Sequence, residues 1–283
     1  MTKKSQITIK SKIKKLFARR RNKVIGVIVG IFIILLIIGA LNGGASACPS
    51  PSSLDKSITA RQLTENPDGY KCKTVQLTGR IFNTEKQNGS NALQVWTNPD
   101  KSEGNVIVYY VGSTSLGNDD YVSFTGVVGG QISGQNAFGG TVAAPAVKAS
   151  SIKKISRDDA VAPALKIISP NQSQSNDGLI ITVKKVEFAS SETRVYLTVK
   201  NDGPANANFY SFDLKLVQAG SQIKDKSIFE GTDDIPSEIL PNTSESGKVY
   251  YQSANPDKPL TLSYKSYSLT EYKDIYFSFD LNQ

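Results

Sequence analysis

The chain has 283 residues, with 33 Lys and Arg, 25 Asp and Glu, two Cys and no His, and a formal net charge of +8. The lack of histidine excludes Ser-His-Asp and Cys-His nucleophiles, histidine-ligated zinc and an imidazole pH switch. Two cysteines are too few for a thiolate metal cage, so we expect neither a metal nor another cofactor.

The positive charge is concentrated at the N-terminus. Residues 1–23 contain ten Lys or Arg and no acid, whereas the rest of the chain has 23 basic and 25 acidic residues. A nucleic-acid partner is therefore not expected. Within this basic tail, Ile9, Ile13, Leu16 and Phe17 recur at helical spacing. That pattern favours a helix on the surface of an anionic, cytoplasmic leaflet.

An uncharged stretch of eighteen residues, 24–41, follows the tail. As a helix it would be about 27 Å long, which is close to the thickness of a bilayer core. Basic residues stay on the cytoplasmic side, so the sequence predicts a single-pass plasma-membrane protein with its C-terminal part outside. Gly26 and Gly30 have the G-x-x-x-G spacing that could let two such helices pack as a weak homodimer, although glycine is also simply common in membrane helices.

Two alternatives to a retained signal anchor lie just beyond this segment. Residues 45–47 (Ala-Ser-Ala) fit a signal-peptidase site. The same residues before Cys48 partly match a lipoprotein signal, with Ala45 where that signal prefers Leu. The apolar run is longer than the roughly 7–15 residues of a cleaved signal peptide, which favours retention.

Composition divides the remainder into a linker and two regions. Residues 42–53 are rich in Gly, Ser and Pro and predict a linker. The segment SRDDAVAP, 156–163, interrupts the strand pattern and predicts a domain boundary. The first region, 54–157, has a net charge of +3, and the second, 158–283, has one of −5.

The first region reads as a short helix followed by strands. Residues 58–65 have a helical pattern that ends at the turn residues 66–69. Asn88-Gly89 predicts a hairpin between the first two strands. Alternating apolar positions then predict a small antiparallel barrel. The alternating residues are Val75, Leu77, Ile81, Leu93, Val95, Val106, Val108, Tyr110, Val122, Phe124 and Val128.

The stretches NPDGYKCKTVQLTGRIF, VSFTGVVGG and TVAAPAVKASSIKKI resemble the tRNA_anti-like OB-fold family over residues 55–157. In that family a Tyr-Lys-Gly-Lys element precedes the first strand, and here Cys72 replaces the glycine. The resemblance implies a five-stranded OB-type barrel. Such barrels bind oligonucleotides or oligosaccharides on an outer strand face.

The second region also has a strand pattern throughout. About seven strands in some 120 residues predict a two-sheet sandwich, with a bulge between Val183 and Val186. One strand face is assigned to Tyr210, Phe212, Leu214 and Leu216. The stretches RVYLTVKNDG and LPNTSESGKVYY resemble the secreted telokin-like immunoglobulin-fold family over residues 165–283. No Cys…Trp…Cys pattern places the region among antibody-type domains.

Cys48 and Cys72 both fall outside the membrane in this topology, where disulfides persist. A bond between them would close a loop of 24 residues, and the replaced family glycine fits such an added bond. Lipidation of Cys48 is the alternative and would leave Cys72 as a thiol. We expect the disulfide.

Carboxylates are the strongest candidates for catalysis, but they carry no specific pattern. Asp119 and Asp120 form one pair, and Asp233, Asp234 and Glu238 form a loop cluster. Glycoside hydrolysis needs two carboxyls about 5–10 Å apart across a sugar, and acidic loop residues are usually solvated surface. We therefore expect no enzyme activity.

For binding, Trp96, Tyr109 and Arg80 have the parity opposite to the predicted barrel core. Outward aromatic residues could stack on a ligand, although packing could equally bury them. The sequence thus predicts a non-catalytic, membrane-anchored envelope protein that binds a glycan or a protein partner. A carboxylate-dependent hydrolase, a structural spacer and a cleaved lipoprotein are the alternatives.

Overall fold

The computed structural model describes residue 48 and residues 52–87, 89–135, 140–226, 235–268 and 272–281. The basic tail, the apolar stretch 24–41 and both of its predicted packing glycines lie outside these residues. In the part of the chain that is described, no helix has the length and apolar character needed to cross a bilayer. The fold is all-β, in two compact units that divide between Ser156 and Arg157.

The first unit is a closed five-stranded barrel preceded by a short helix, α1 (Ala60–Glu65). Neighbouring strands follow the order β1-β2-β3-β5-β4, and β4 closes on β1. All pairs are antiparallel except β3 with β5, which is parallel. The strands are β1 (Thr74–Gln87), β2 (Ser90–Asn98), β3 (Glu103–Val111), β4 (Tyr121–Gln135) and β5 (Thr141–Lys154).

The barrel interior holds the residues that alternate in the sequence. Leu77, Val95 and Phe124 are among the buried members of one continuous core. Leu63 of α1 joins that core and is fully buried. Helix α1 starts at a capping box, in which Thr59 and Gln62 each bond the other's backbone N–H. The helix is therefore fixed by local capping and by the packing of Leu63 and Ala60 against the barrel core.

A disulfide joins Cys48 to Cys72 directly before β1, with the two Cα atoms 5.4 Å apart. The backbone of Cys72 has a φ of +67°, in the left-handed region that favours glycine. The neighbouring Ser52 also binds β1, because its hydroxyl accepts a hydrogen bond from the Thr74 N–H at 3.0 Å. Ser52, which lies in the predicted linker, is thus bonded to the first strand of the barrel.

The second unit has two main sheets that share one hydrophobic core. One sheet has the order β14-β9-β8-β6, with β7 also paired to β8, and the other has the order β12-β11-β15-β16. Its elements are α2 (Arg157–Val161), β6 (Ala164–Ile168), β7 (Gln172–Asn176), β8 (Leu179–Ala189), β9 (Thr193–Asn201), β10 (Ala207–Asn208), β11 (Lys215–Gln218), β12 (Ser221–Ile223), β13 (Glu238–Ile239), β14 (Thr243–Tyr251), β15 (Leu260–Ser268) and β16 (Lys273–Asp280).

Two sequence expectations for this unit have clear outcomes. The predicted bulge is confirmed, because the β8–β9 register shifts between Val183 and Lys185. The continuous strand face from Tyr210 to Leu216 is wrong in its first half. A 3₁₀ turn at Ser211–Asp213 precedes β11, and Tyr210 and Phe212 are exposed. A turn changes side-chain direction, so the alternation that a strand would give does not hold there.

Side-chain amides of β7 bind the backbone of β16 across the open side of the two sheets. Gln172 donates to the carbonyl of Asp280 at 2.6 Å, and Gln174 donates to the carbonyl of Ser278. Asn176 donates to the carbonyl of Tyr276 at 3.5 Å. Residues two apart on a strand share a face, so one face of β7 supplies all three amides. We call this arrangement the amide ladder.

Candidate ligand-binding site

Arg80 and Trp96, two of the three predicted binding residues, meet on the outer face of the barrel sheet, where Arg80 is buried and Trp96 is half-buried. Arg80 of β1 is paired with Trp96 of β2, and its guanidinium carbon lies 5.2 Å from the centre of the Trp96 ring. The ring of Phe82 stacks on Trp96 with centroids 4.2 Å apart. The contacts with Phe82 and Arg80 occupy much of the Trp96 ring system, which reduces the area left for stacking on a ligand.

Tyr109 lies elsewhere on the same barrel. It is opposite Ala92 on β2 and is buried in a small apolar cluster with Ala92, Ile107 and Ala144. Ile132 and Val142, from the far ends of β4 and β5, pack against this cluster. The extended β4–β5 hairpin therefore covers the outer face of β3. The Tyr109 ring is in a packed interior and not on an open surface.

The acidic pair of the first unit is bound to cations. The Asp120 carboxylate lies beside the Lys154 ammonium and accepts a hydrogen bond from the Gly117 N–H at 3.0 Å. The hydrogen bond from Lys154 holds the pKa of Asp120 below its ordinary value. Asp119 lies 4.0 Å from the Arg80 guanidinium. Of the loop cluster in the second unit, Glu238 is exposed on β13, and Asp233 and Asp234 lie outside the described residues.

An open cleft of about 610 Å³ lies in the second unit, among residues that are not predicted from the sequence to form a site. Its floor is formed by β15 and β16, and one wall by the segment that leads into β11. Tyr210, Tyr267 and Tyr276 line it, with 40%, 50% and 62% of their surfaces exposed. Phe212 stacks on Tyr210 with ring centres 5.3 Å apart. We call this surface the tyrosine cleft.

Strand register places two of these tyrosines together. Tyr267 pairs with Asp274, and Lys265 pairs with Tyr276, so both tyrosines leave the same face of the β15–β16 pair. Diagonal neighbours of this kind are about 7–8 Å apart and within reach of each other's aromatic side chains. The signal was present in the sequence, since both tyrosines have the parity opposite to Leu262, Tyr264 and Phe277 of the core.

The wall of the cleft is fixed by a buried partner. The backbone N–H of Tyr210 donates to the Tyr264 hydroxyl at 3.0 Å. Tyr264 is buried, with its ring against Phe209 and Phe277. Burial raises the pKa of Tyr264, so this hydroxyl stays protonated at neutral pH. The exposed Tyr210 thus rests on an internal group that holds it in position.

Charges in the cleft are balanced. Among the residues that the structure describes, its lining contains two lysines and two aspartates, namely Lys215, Lys265, Asp213 and Asp274. The Lys265 ammonium lies 2.8 Å from the Asp274 carboxylate, which also accepts a hydrogen bond from the Tyr276 hydroxyl at 3.2 Å. The hydrogen bond that Lys265 donates to Asp274 lowers the pKa of Asp274 and raises the pKa of Lys265. The formal charges of the described lining therefore cancel.

A buried ionic network lies on the other sheet, on the face opposite the core. Arg194 of β9 is 1% exposed at its side chain. It donates to Glu187 at 2.8 Å, to Glu192 at 2.9 Å and to the carbonyl of Ala162 at 2.8 Å, and it lies 3.7 Å from Asp158. Three carboxylates therefore surround one guanidinium. This buried arrangement of charges is stable only because further cations also pair with the carboxylates.

Those further cations come from several elements, together with tyrosine hydroxyls that also donate to the carboxylates. Lys248 and Tyr250 of β14 both donate to Asp158, at 2.9 Å each. Lys226 donates to Glu192 at 2.6 Å. Burial alone would raise the pKa of Asp158, but the hydrogen bond and charge of Lys248 outweigh it and leave the pKa lowered. The remaining members are Arg157 on Glu192, and Lys185 and Tyr196 on Glu187.

The network binds the predicted boundary segment to the second unit. Arg157 and Asp158 belong to α2 and are buried, and Ala160 and Ala162 are buried beside them. The segment is therefore a docked helix within this unit and not a solvated linker. Within the described part of the chain, no group of three or more His, Cys, Asp or Glu is arranged to hold a metal ion.

No protein-family model matches the sequence, and no curated protein matches it. Among solved structures, the chain is similar to the candidate lipoprotein YcdA of Bacillus subtilis, with 20% identity, a TM-score of 0.33 and 41% of this chain aligned. It spans 40% of YcdA. A Listeria monocytogenes protein of unknown function has 7% identity and a TM-score of 0.31, over 43% of this chain and 88% of that one. A conserved domain protein of Bacillus anthracis has 7% identity and a TM-score of 0.32, over 76% and 94%.

Proposed function

We propose that this chain is a non-catalytic binding protein of the cell envelope, with its β units outside a membrane that it crosses once. The apolar segment 24–41 and the bases of 1–23 support the anchor and its orientation. The Cys48–Cys72 disulfide supports an oxidising, extracytoplasmic location. The closed barrel with its 1-2-3-5-4 order supports an OB-type first domain, and the two sheets over one core support an immunoglobulin-like second domain.

The tyrosine cleft is the observation that carries the binding role. Ligand clefts measure about 300–1,000 Å³ and combine apolar or aromatic walls with a few polar groups. The cleft has that size, three half-exposed tyrosines and polar side chains between them. Exposed aromatic residues gathered on one face are unusual on a surface without a partner. The cleft is also held by the sheet register and by Tyr264, so it is formed before any ligand arrives.

The state of the buried carboxylates supports binding over hydrolysis. A general acid needs a carboxyl pKa raised towards neutral pH. The pKa values of Asp158, Glu187 and Glu192 are lowered instead, because hydrogen bonds from neighbouring cations and hydroxyls outweigh the effect of burial. These three groups are therefore ionised structural partners of Arg194.

Sedimentation with isolated envelope fragments tests the binding role. Full-length protein in mild detergent should co-sediment with the fragments, and Tyr267→Ala and Tyr276→Ala should each weaken binding by about tenfold, which corresponds to ~1.4 kcal/mol. Tyr272→Ala is the matched control, because Tyr272 is 79% exposed but does not line the cleft. Equal binding by all four proteins would refute the role of the cleft, and no binding by any of them would favour the spacer.

Protease treatment of intact cells tests the anchor. We expect an added protease to remove a C-terminal tag and to spare an N-terminal one, because the basic tail lies in the cytoplasm in the proposed topology. A protected C-terminal tag would overturn the orientation. A mature N-terminus at Cys48 would show cleavage in place of a retained anchor.

A further inference from the structure

The charge of the tyrosine cleft limits what it can bind. Its two lysines and two aspartates cancel, and Lys265 and Asp274 are already paired with each other. A nucleic acid or another polyanion needs a surplus of positive charge to replace its counterions, and the described lining of the cleft has none. A polycation would likewise find no surplus of negative charge. The balance therefore favours an uncharged ligand.

The tyrosines suit a ligand with flat apolar faces. Tyr267 and Tyr276 are diagonal neighbours on one open sheet face, and Tyr210 forms the wall beside them. The face of an aromatic ring is electron-rich, so it attracts groups that carry a partial positive charge. The C–H groups on one face of a sugar ring are of this kind. Several tyrosines along one surface would contact successive sugar rings of a short chain.

The polar groups between the tyrosines distinguish two uncharged ligands. Sugar hydroxyls both donate and accept hydrogen bonds, so they can satisfy lysine donors as well as aspartate acceptors. A polyproline segment, which also binds aromatic grooves, has no backbone N–H and offers acceptors only. It would leave the carboxylates of Asp213 and Asp274 facing carbonyl oxygens. Asp274 accepts from Lys265 and Tyr276, and a carboxylate has about four lone-pair positions, so it can accept from a hydroxyl as well.

We propose, on the basis of the proposed binding function, that the tyrosine cleft binds an uncharged oligosaccharide. Tyr267 and Tyr276 supply the stacking faces, and Lys265 and Asp274 hydrogen-bond the hydroxyls at the edges of the sugar rings. The Lys265–Asp274 contact holds both side chains in place across the strand pair. Selectivity between sugars then depends on whether the hydroxyls of a given sugar lie within hydrogen-bond distance of Lys265 and Asp274.

Calorimetric titration of the full-length protein in detergent tests this ligand class. The probes are three uncharged hexasaccharides (chitohexaose, cellohexaose and maltohexaose), with de-N-acetylated chitohexaose, hexagalacturonate and decaproline for comparison. At least one uncharged hexasaccharide should bind, and the two charged ones should bind at least about tenfold more weakly. Binding should be unchanged by moderate salt, because no net charge is neutralised.

Variants then connect the binding to the cleft. Tyr267→Ala and Tyr276→Ala should each weaken binding by about tenfold. Tyr276→Phe retains the stacking face and loses only the hydroxyl that donates to Asp274, so its affinity should stay within about threefold of wild type. Tyr272→Ala should bind as the wild type does. Circular dichroism and the melting transition of each variant report whether the second unit is folded.

The possible failures are distinguishable. Binding of decaproline that is lost in Tyr267→Ala would overturn the saccharide inference and leave the cleft as a binding site. Equal or tighter binding of a charged hexasaccharide would also overturn it. If none of the three uncharged hexasaccharides binds, while binding to envelope fragments still depends on Tyr267 and Tyr276, the inferred ligand class is refuted and the proposed binding function stands. If binding to the fragments does not depend on these tyrosines, the proposed function is refuted as well.

Discussion

At the scale of single residues, Arg194 is the cation shared by three carboxylates in the buried network of the second unit. It is almost fully buried, and it contacts Glu187, Glu192 and Asp158. Buried charges are tolerated only when they are paired, because an uncompensated ion in the interior costs several kcal/mol. The strand pattern assigns Arg194 to the face away from the core, but it does not indicate that other charged side chains will cover that face. Pairing of this kind depends on α2 and β14, which are distant in sequence.

Replacing Arg194 should therefore destabilise the second unit. We expect Arg194→Met to lower the free energy of unfolding by about 3–5 kcal/mol, because the three carboxylates lose their shared cation. Chemical denaturation followed by far-UV circular dichroism measures the loss. Lys200→Met is the control, since Lys200 pairs with Asp202 on the surface and such pairs contribute little. Equal midpoints for both variants would refute the structural role of the network.

The same network predicts a loss of stability in acid. The pKa values of Asp158, Glu187 and Glu192 are lowered in the folded chain from ordinary values of 3.8 for Asp and 4.5 for Glu. The unfolded chain therefore binds more protons as the pH falls through those ordinary values. Stability is fully present above about pH 5 and decreases from there towards the lowered pKa values.

Denaturation midpoints measured from pH 7 down to pH 3 check this acid dependence. We expect the denaturant concentration at the midpoint of the second unit to decrease once the pH is lowered below 5. The decrease should be smaller in Asp158→Asn, which has one titrating carboxyl fewer. A midpoint that is constant over this range, or that rises in acid, would contradict the lowered pKa values.

At the scale of elements, the alternation of the strands shows which face a residue occupies but not what covers that face. Tyr109 has the outward parity that the sequence indicated, yet the far end of the β4–β5 hairpin packs over it. In the same way, SRDDAVAP interrupts the strands as expected, but Asp158 reaches Lys248 and Tyr250 of β14 and holds α2 in place. Both differences arise from contacts between segments far apart in the chain, which periodicity does not encode.

The hairpin cover makes Tyr109 a stability residue of the barrel. We expect Tyr109→Ala to destabilise the first unit by about 3–5 kcal/mol, as the loss of a large buried ring does. Trp96 is the only tryptophan of the chain, so its fluorescence reports the unfolding of this unit alone. Val111→Ala is the control, because Val111 is exposed on the same strand. Wild-type stability of Tyr109→Ala would show that the ring is not enclosed.

At the scale of the whole molecule, what the sequence predicts best is the class of each part. The all-β character, the barrel-sized first region and the two-sheet second region follow from strand patterns and turn residues. The tyrosine cleft does not, because Tyr210 directly precedes a 3₁₀ turn at a place where the alternation predicts a strand. A binding surface assembled from a turn and two strands depends on tertiary geometry. Sequence parity alone indicates Tyr267 and Tyr276 as outward residues.

The fate of Cys48 distinguishes two assemblies of the whole protein. Mass spectrometry of unreduced peptides should show Cys48 linked to Cys72, as in the structure. The bond shortens the free chain of the unfolded state by a loop of 24 residues, so reduction should lower the stability of the barrel by about 2–4 kcal/mol. An acylated Cys48 with a thiol at Cys72 would instead identify a cleaved lipoprotein.

The amide ladder has a consequence for molecules crowded side by side on a surface. A strand at the end of a sheet normally exposes carbonyl and N–H groups that another polypeptide can use as a template for fibre growth. Gln172, Gln174 and Asn176 occupy these positions on β16. Because amides do not ionise, the bonds that cover β16 do not change with pH while the second unit is folded. Neighbouring copies could then collide repeatedly without forming an intermolecular β-sheet along this strand.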